Sequence, residues 1–405
     1  MNTALALASL AFVGSGTEPV PGKLVIKAAT IITEPGKSIP RGVIVVEDGR
    51  ISAIGTDLGI PTGARVFDYG AATIAPGFVD AHAVTGAAIE ITDTTHAFTA
   101  GVRALDAFRP HGLEMRRTAA AGVTTIALAP PGQNVLCGLA ACVTPARQGP
   151  VLAPAAYLKI SLSPRVFEDD RYPASVASAL KELEKRWKLV GTDPKAAAEK
   201  VSDFNRQLQD PLNWFAPKLG PADARALAMA RKEIRPWFEI ADETTARQVL
   251  KLSRELSLQP VIVAAGDLTE VASELAAAKV PVVLPSLDLG SGPRALKMPQ
   301  SLQRAGVEFA FATVGPERGP ETLRAGAALA VASGLDRTAA FAAVTTRAAK
   351  WLGIDTQVSS LEVGKLANFV AYSGDPLDLS ASMIAVHICG EPVAAPSPGA
   401  RKEKP

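Results

Sequence analysis

Between about residues 76 and 352, short apolar runs alternate with helical stretches, and few folds can bury such a chain. Pro260-Val261-Ile262-Val263-Ala264 precedes a helical stretch from Thr269 to Lys279. Val280 to Leu284 is apolar throughout, and the strand-like run Glu308 to Thr313 leads to a helix from Glu321 to Ser333. Strands this apolar need cover on both faces, which a parallel sheet wrapped by helices supplies. Repeated over roughly 270 residues, the pattern predicts an α/β chain with a (β/α)8 TIM barrel rather than a small open sheet.

Both ends of the chain read differently. Leu24-Val25-Ile26, Thr30-Ile31-Ile32, Val43 to Val46 and Ile51 to Ile54 are strand-like, with an Asp48-Gly49 hairpin signal between the last two. Asn368 to Tyr372 and Ile384 to Ile388 mirror them at the far end. From about Val166 to Glu233 the rhythm breaks into charged helical sequence, including Lys181-Glu182-Leu183-Glu184-Lys185 and a run from Ala222 to Ile234, as an insertion on a barrel loop would.

Composition excludes several classes. With 42 Lys+Arg against 40 Asp+Glu the net charge is +2, and no basic stripe of the kind nucleic acid requires is present. Ala4 to Val13 is too short to span a bilayer; it suits the core of a secretory signal but lacks a basic residue before it, so an exported and a cytoplasmic location both stay open. No other run is long enough for an integral membrane segment. Cys137, Cys142 and Cys389 are an odd count without metal-finger spacing, and neither thiol of the first two has a base placed beside it by sequence. Nucleophile-elbow, phosphate-loop and dinucleotide motifs are absent.

Ala75-Pro76-Gly77-Phe78-Val79-Asp80-Ala81-His82 resembles the first barrel strand of the amidohydrolase superfamily, imidazolonepropionase-like metal-dependent hydrolases whose motif is Pro-Gly-Phe-Ile-Asp-x-His-x-His. Further similarities follow in the family's order: Ala121 to Thr125 to its second strand, Thr345 to Gly353 to its last barrel helix, and Ser360 to Asn368 to re-entry into its small domain. The resemblance implies a barrel plus a small β-sandwich domain assembled from both chain ends. Its implied boundaries are a leader or signal segment at 1–22, sandwich at 23–75 and 353–395, barrel at 76–352 with a helical insertion at about 166–235, and a tail at 396–405.

Active members hold one or two divalent metals on the carboxyl ends of the strands, and the metal activates water and polarises the scissile carbonyl. Here the resembling positions have changed. Val84 stands at the second ligand of the first motif, Ala264-Ala265-Gly266 at the sixth strand's Glu-His-Gly, and Val314 at the eighth-strand Asp; the fifth-strand segment Pro236 to Asp242 has no histidine. Hydrocarbon side chains offer no lone pair. The residual metal candidates are His82, Lys159 and Glu239, fewer dependable donors than a catalytic site needs. The leading expectation is therefore a catalytically impaired or non-catalytic homologue without cofactor, a pseudoenzyme that binds a small-molecule ligand, forms a homo-oligomer or pairs with an active paralogue. The alternative is an active hydrolase of non-peptide carbon–nitrogen bonds, using zinc or another divalent metal in a site rebuilt from His82, Lys159, Glu239 and Asp242. A third is metal-free acid–base chemistry by His82 or His96.

Among single residues, His82, His96 and Asp80 are the catalytic candidates, Asp80 as the carboxylate that fixes the His82 tautomer. Gln133 and Asn134, in the Pro130 to Asn134 loop after the second strand, are the ligand-binding candidates. His111 and Glu114 are expected on one helix face, and His387 within an apolar strand, as a structural residue.

Overall fold

The computed structural model describes residues 22–84, 94, 96–147, 149–167, 171–208, 218–315 and 317–394. The apolar leader and the basic tail lie outside the described residues. The amino-terminal end supplies strands β1 (Leu24–Glu34), β2 (Lys37–Glu47), β3 (Arg50–Thr56), β4 (Arg65–Asp68) and β5 (Thr73–Pro76). Asp48 and Gly49 join β2 to β3, both with positive φ (50° and 76°), as a two-residue hairpin turn matched to strand twist requires.

Eight strands then form the barrel sheet: β6 (Phe78–Ala83), β7 (Val123–Leu128), β8 (Leu136–Val143), β9 (Val151–Ser161), β10 (Arg235–Ile240), β11 (Val261–Ala264), β12 (Val282–Pro285) and β13 (Phe309–Ala312), hydrogen-bonded in chain order. The Val314 N–H donates to His82 O at 3.0 Å across the gap between first and last strands. The chain returns through β14 (Phe369–Tyr372), β15 (Met383–Ile388) and β16 (Glu391–Ala394). β14 pairs antiparallel with β5, Phe369 opposite Pro76, so the two chain ends complete one β sheet beside the barrel.

One strand departs from the all-parallel expectation. β8 runs antiparallel to both β7 and β9. The connections on either side, 129–135 and 144–150, are shorter than the dozen or so residues a parallel crossover needs, so reversal is the only way to pair. Helices cover the outside after the later strands, for example Glu243–Leu256, Pro293–Ala305 and Glu321–Ala332. Between β9 and β10 lie the helices Val176–Val190, Pro194–Glu199, Val201–Leu208 and Pro221–Lys232, on which Trp187 is buried and donates to Leu227 O at 3.0 Å. Among the described residues no helix is long and apolar enough to cross a membrane.

Small residues line the barrel interior: Ala81, Ala127, Ala140, Ala310 and Ala312 share a buried cluster with Val79, Val261, Val263 and Val283. Alanines leave room that close packing must fill. Tyr157 on β9 and Trp237 on β10 fill it, their rings stacked with centroids 4.0 Å apart.

Candidate active site

The carboxyl ends of β6, β9 and β10 bring three of the residues singled out in sequence into one buried region. Tyr157 and Lys159 share a face of β9, as Trp237 and Glu239 do of β10, because strand side chains alternate; the register sets Trp237 opposite Lys159. Lys159 Nζ lies 3.4 Å from Glu239 Oε2, with the lysine side chain 2% and the glutamate 14% exposed. The loop after β7 closes over this pair. A Cβ added to Gly132 would sit 3.0 Å from Glu239 Oε2 and 3.4 Å from Lys159 Nζ, so the backbone there lies close against the pair and a side chain would have to push it back.

His82 is fully buried, its ring parallel to those of Tyr157 and Trp237 at centroid distances of 5.8 and 6.4 Å. Its Nδ1 lies 2.6 Å from Tyr157 Oη, and Nε2 has no hydrogen-bond partner among the described residues. Burial, with the Lys159 charge adding to it, holds the imidazole's pKa well below its ordinary value, so the ring is neutral. Burial also pushes the Tyr157 phenol well up, keeping it protonated. With the phenol donating to Nδ1 one buried polar group stays unpaired, the Nε2–H, whereas the reverse bond leaves both the phenol hydrogen and Nε2 unpaired among the described residues, which assigns the imidazole proton to Nε2. In that tautomer His82 presents a donor and no free lone pair.

Asp80 does not fill the tautomer-fixing place expected of it. Its Oδ1 accepts from the Thr313 N–H (3.1 Å) and the His82 backbone N–H (3.2 Å), and its Oδ2 accepts from Thr313 Oγ1 (2.7 Å). It ties β6 to β13 through the backbone, and Tyr157 holds the imidazole instead. Burial raises the Asp80 pKa against the opposing pull of those hydrogen bonds. Next to Thr313, Val314 has φ +59°, a conformation that asparagine and aspartate tolerate and a β-branched residue resists.

The remaining candidates lie apart from this cluster. Asp242 caps the Glu243–Leu256 helix, accepting from Thr245 N–H (2.8 Å) and Oγ1 (2.9 Å). His96 is exposed and borders a separate surface cleft of about 500 Å3 with Lys218 and Asp223. His111 falls outside the helix expected to carry it: Gly112 is the N-cap and the helix starts at Leu113, so His111 and Glu114 are not one turn apart on a common face. His387 is buried in the small domain, stacked on Phe369 at 4.5 Å and bonded to Tyr69 Oη and Gly390 O. Cys137 and Cys142 are buried in β8, and burial lifts the Cys137 thiol to about 11, away from nucleophile range.

Gln133 and Asn134 serve the loop itself. Asn134 Nδ2 donates to Thr99 Oγ1 at 2.9 Å, and Arg171 grips the segment from above. The Arg171 guanidinium donates to Gln133 O (2.7 Å), Asn134 Oδ1 (3.0 Å), Thr94 O (3.0 Å) and Val166 O (3.1 Å). One side chain thus joins the segments that follow β6, β7 and β9. Sequence reasoning passed over Arg171, Tyr157 and Trp237; the i, i+2 spacing of Tyr157 to Lys159 and of Trp237 to Glu239 was the available signal.

These donors do not fit a metal of the superfamily type. His82 has its Nδ1 lone pair occupied, Glu239 faces an ammonium, and among the described residues no group of three His, Cys, Asp or Glu is placed to hold a metal ion. A carboxylated Lys159 would set a second anion against Glu239 where a cation now sits.

The sequence model of the amidohydrolase family matches residues 242–395. Among solved structures, an amidohydrolase from Thermotoga maritima is similar over 92% of this chain and all of its own, at 22% identity and a TM-score of 0.77. Molinate hydrolase is similar at 15% identity over 92% of this chain and 94% of its own, TM-score 0.55. A zinc-bound adenosine deaminase from Xanthomonas campestris is similar at 17% identity over 92% and 93%, TM-score 0.51. No curated protein matches in sequence.

Proposed function

Taking this chain as a member of the amidohydrolase superfamily, on the match to residues 242–395 and the shared fold, we propose that it has given up metal-assisted hydrolysis and acts as a non-catalytic or strongly impaired homologue. The observation that carries the reading is the Lys159–Glu239 ion pair, closed over by the backbone at Gly132. Metal-assisted hydrolysis needs a cation held by at least three donors, with an open position for water. In this chain a lysine ammonium faces Glu239, the backbone at Gly132 lies against the pair, and His82 turns an N–H rather than a lone pair inward. The retained barrel then serves recognition, of a small molecule or of a second chain such as an active relative.

Metal analysis of the purified full-length protein tests this, paired with turnover assays on cyclic and linear amides. The expected result is no stoichiometric metal and no turnover that zinc or manganese restores. About one equivalent or more of tightly held metal per chain would overturn it.

One observation favours a second reading, the hydrolase with a rebuilt site. His82 Nε2 is buried without a partner, and an unsatisfied buried group is costly unless something occupies it. That reading needs the tautomer reversed and Glu239 released from Lys159. It predicts that His82→Ala and Glu239→Ala both abolish metal binding.

A further inference from the structure

At the opposite end of the barrel, where β10 and β11 begin, a cavity of about 470 Å3 opens between the helices Glu243–Leu256 and Ala272–Ala277. Its lining includes Arg235, Ser253, Arg254 and Lys279 and contains no carboxylate. Arg254 and Lys279 are exposed, and neither takes part in an ion pair among the described residues. Arg235 is part-buried, with Glu308 an acidic neighbour and no ion pair among the described residues. Ser253 is 5% exposed, and its hydroxyl has no hydrogen-bond partner.

Basic residues near helix carboxyl ends are ordinarily accounted for by the carbonyls that end there. Here most of those carbonyls already have donors other than these side chains. Ser253 O accepts from Leu258 N–H (2.8 Å), Arg254 O from Ser257 N–H (3.4 Å), Leu256 O from Arg231 (3.3 Å), Leu275 O from Val280 N–H (3.0 Å) and Ala276 O from Lys279 N–H (3.0 Å). The three cations are left lining a concavity, and the volume falls within the range of small-molecule sites.

We propose that this cavity is a binding site for a phosphate-type oxyanion, carried on a small metabolite, with Arg235, Arg254 and Lys279 supplying charge. Arginine recognises such groups by paired, charge-assisted hydrogen bonds, and the absence of a nearby carboxylate leaves no competitor for them in the lining. The site is independent of the mouth of the barrel, since its residues precede β10 and β11 or end the flanking helices, whereas Lys159 and Glu239 lie at the strands' carboxyl ends.

Calorimetric titration of the full-length protein with inorganic phosphate at low ionic strength is the test. Saturable binding at one site per chain is expected, and Arg254→Gln and Lys279→Gln, exposed positions that leave the fold intact, should each weaken it about tenfold. Lys188→Gln, on the Val176–Val190 helix and outside the cavity lining, should leave affinity unchanged. No saturable binding would overturn the proposal. Equal affinity in wild type and Arg254→Gln would overturn it too, as would weakening by Lys188→Gln to the same degree.

Discussion

Replacing Lys159 by methionine keeps most of the side-chain volume and removes the one cation within ion-pair distance of Glu239 among the described residues. Breaking a buried pair on one side costs about 3–5 kcal/mol, because a charge is left without compensation. The 3.4 Å separation is longer than a tight charge-assisted contact, and Glu239 retains 14% exposure, which together place the cost near the lower end, about 3 kcal/mol. With an unfolding entropy of about 2.1 cal/mol/K per residue, that lowers Tm by roughly 3–4 °C if the chain unfolds in one transition. Urea unfolding at pH 7 gives the same quantity directly. Lys159→Met/Glu239→Leu removes both charges and should recover all but about 1 kcal/mol, since an apolar pair of similar volume replaces an ion pair with little loss. The signature is therefore a double variant about 2 kcal/mol more stable than Lys159→Met alone, the mark of two coupled positions. If Lys159→Met is neutral by itself, Glu239 has another partner or is solvated, and the picture of a closed, self-neutralised barrel mouth falls.

Acid should weaken the fold through its buried histidines. His387 has its pKa lowered to about 4 by burial, and His82 is lowered well below its ordinary value by burial and Lys159, so below about pH 6.5 the unfolded chain takes up protons that the folded chain refuses. Stability is full above that pH and falls by about 1.4 kcal/mol per unit for each histidine as pH drops, His387 ceasing to contribute near pH 4 after about 3 kcal/mol; Asp80, raised by burial, opposes this. Urea midpoints at pH 7 and 5 for wild type and His387→Phe should differ less in the variant, and parallel curves would contradict the assignment. Val314→Asn should gain about 0.5–1 kcal/mol by relieving the positive φ at that position, and a loss in thermal melts would mean that side-chain packing outweighs the strain. Arg171→Ala removes four hydrogen bonds, two of them to Gln133 and Asn134, and should accelerate amide exchange at Leu136 and neighbouring residues while global unfolding changes little; unchanged exchange would show that the loop is held by its own packing.

How far the sequence carries the reader depends on which kind of information each feature uses. Apolar strands, helix spacing and the Asp48-Gly49 turn are local, and they announced the barrel and the β-rich ends. Strand direction is not written in apolar periodicity, so the reversed β8 was hidden from it, although the short connections on both sides carried the answer in their length. That Val84, Ala265 and Val314 bring no lone pair to the positions resembling metal ligands was legible, because a valine or alanine cannot donate one wherever it sits. What replaced them was not legible in the same way. Tyr157 and Trp237 look like ordinary core aromatics, and only the register that sets Trp237 opposite Lys159 makes them neighbours of a buried charge. Their effect is to determine the state of His82: an aromatic stack excludes water, a phenol fixes Nδ1, and a nearby ammonium keeps the ring neutral. Restoring a histidine at Val84 would therefore not by itself restore a metal site. The His82 lone pair would have to be freed from Tyr157 and Glu239 from Lys159, so a gain of metal affinity should require changes at Tyr157 and Lys159 together with Val84.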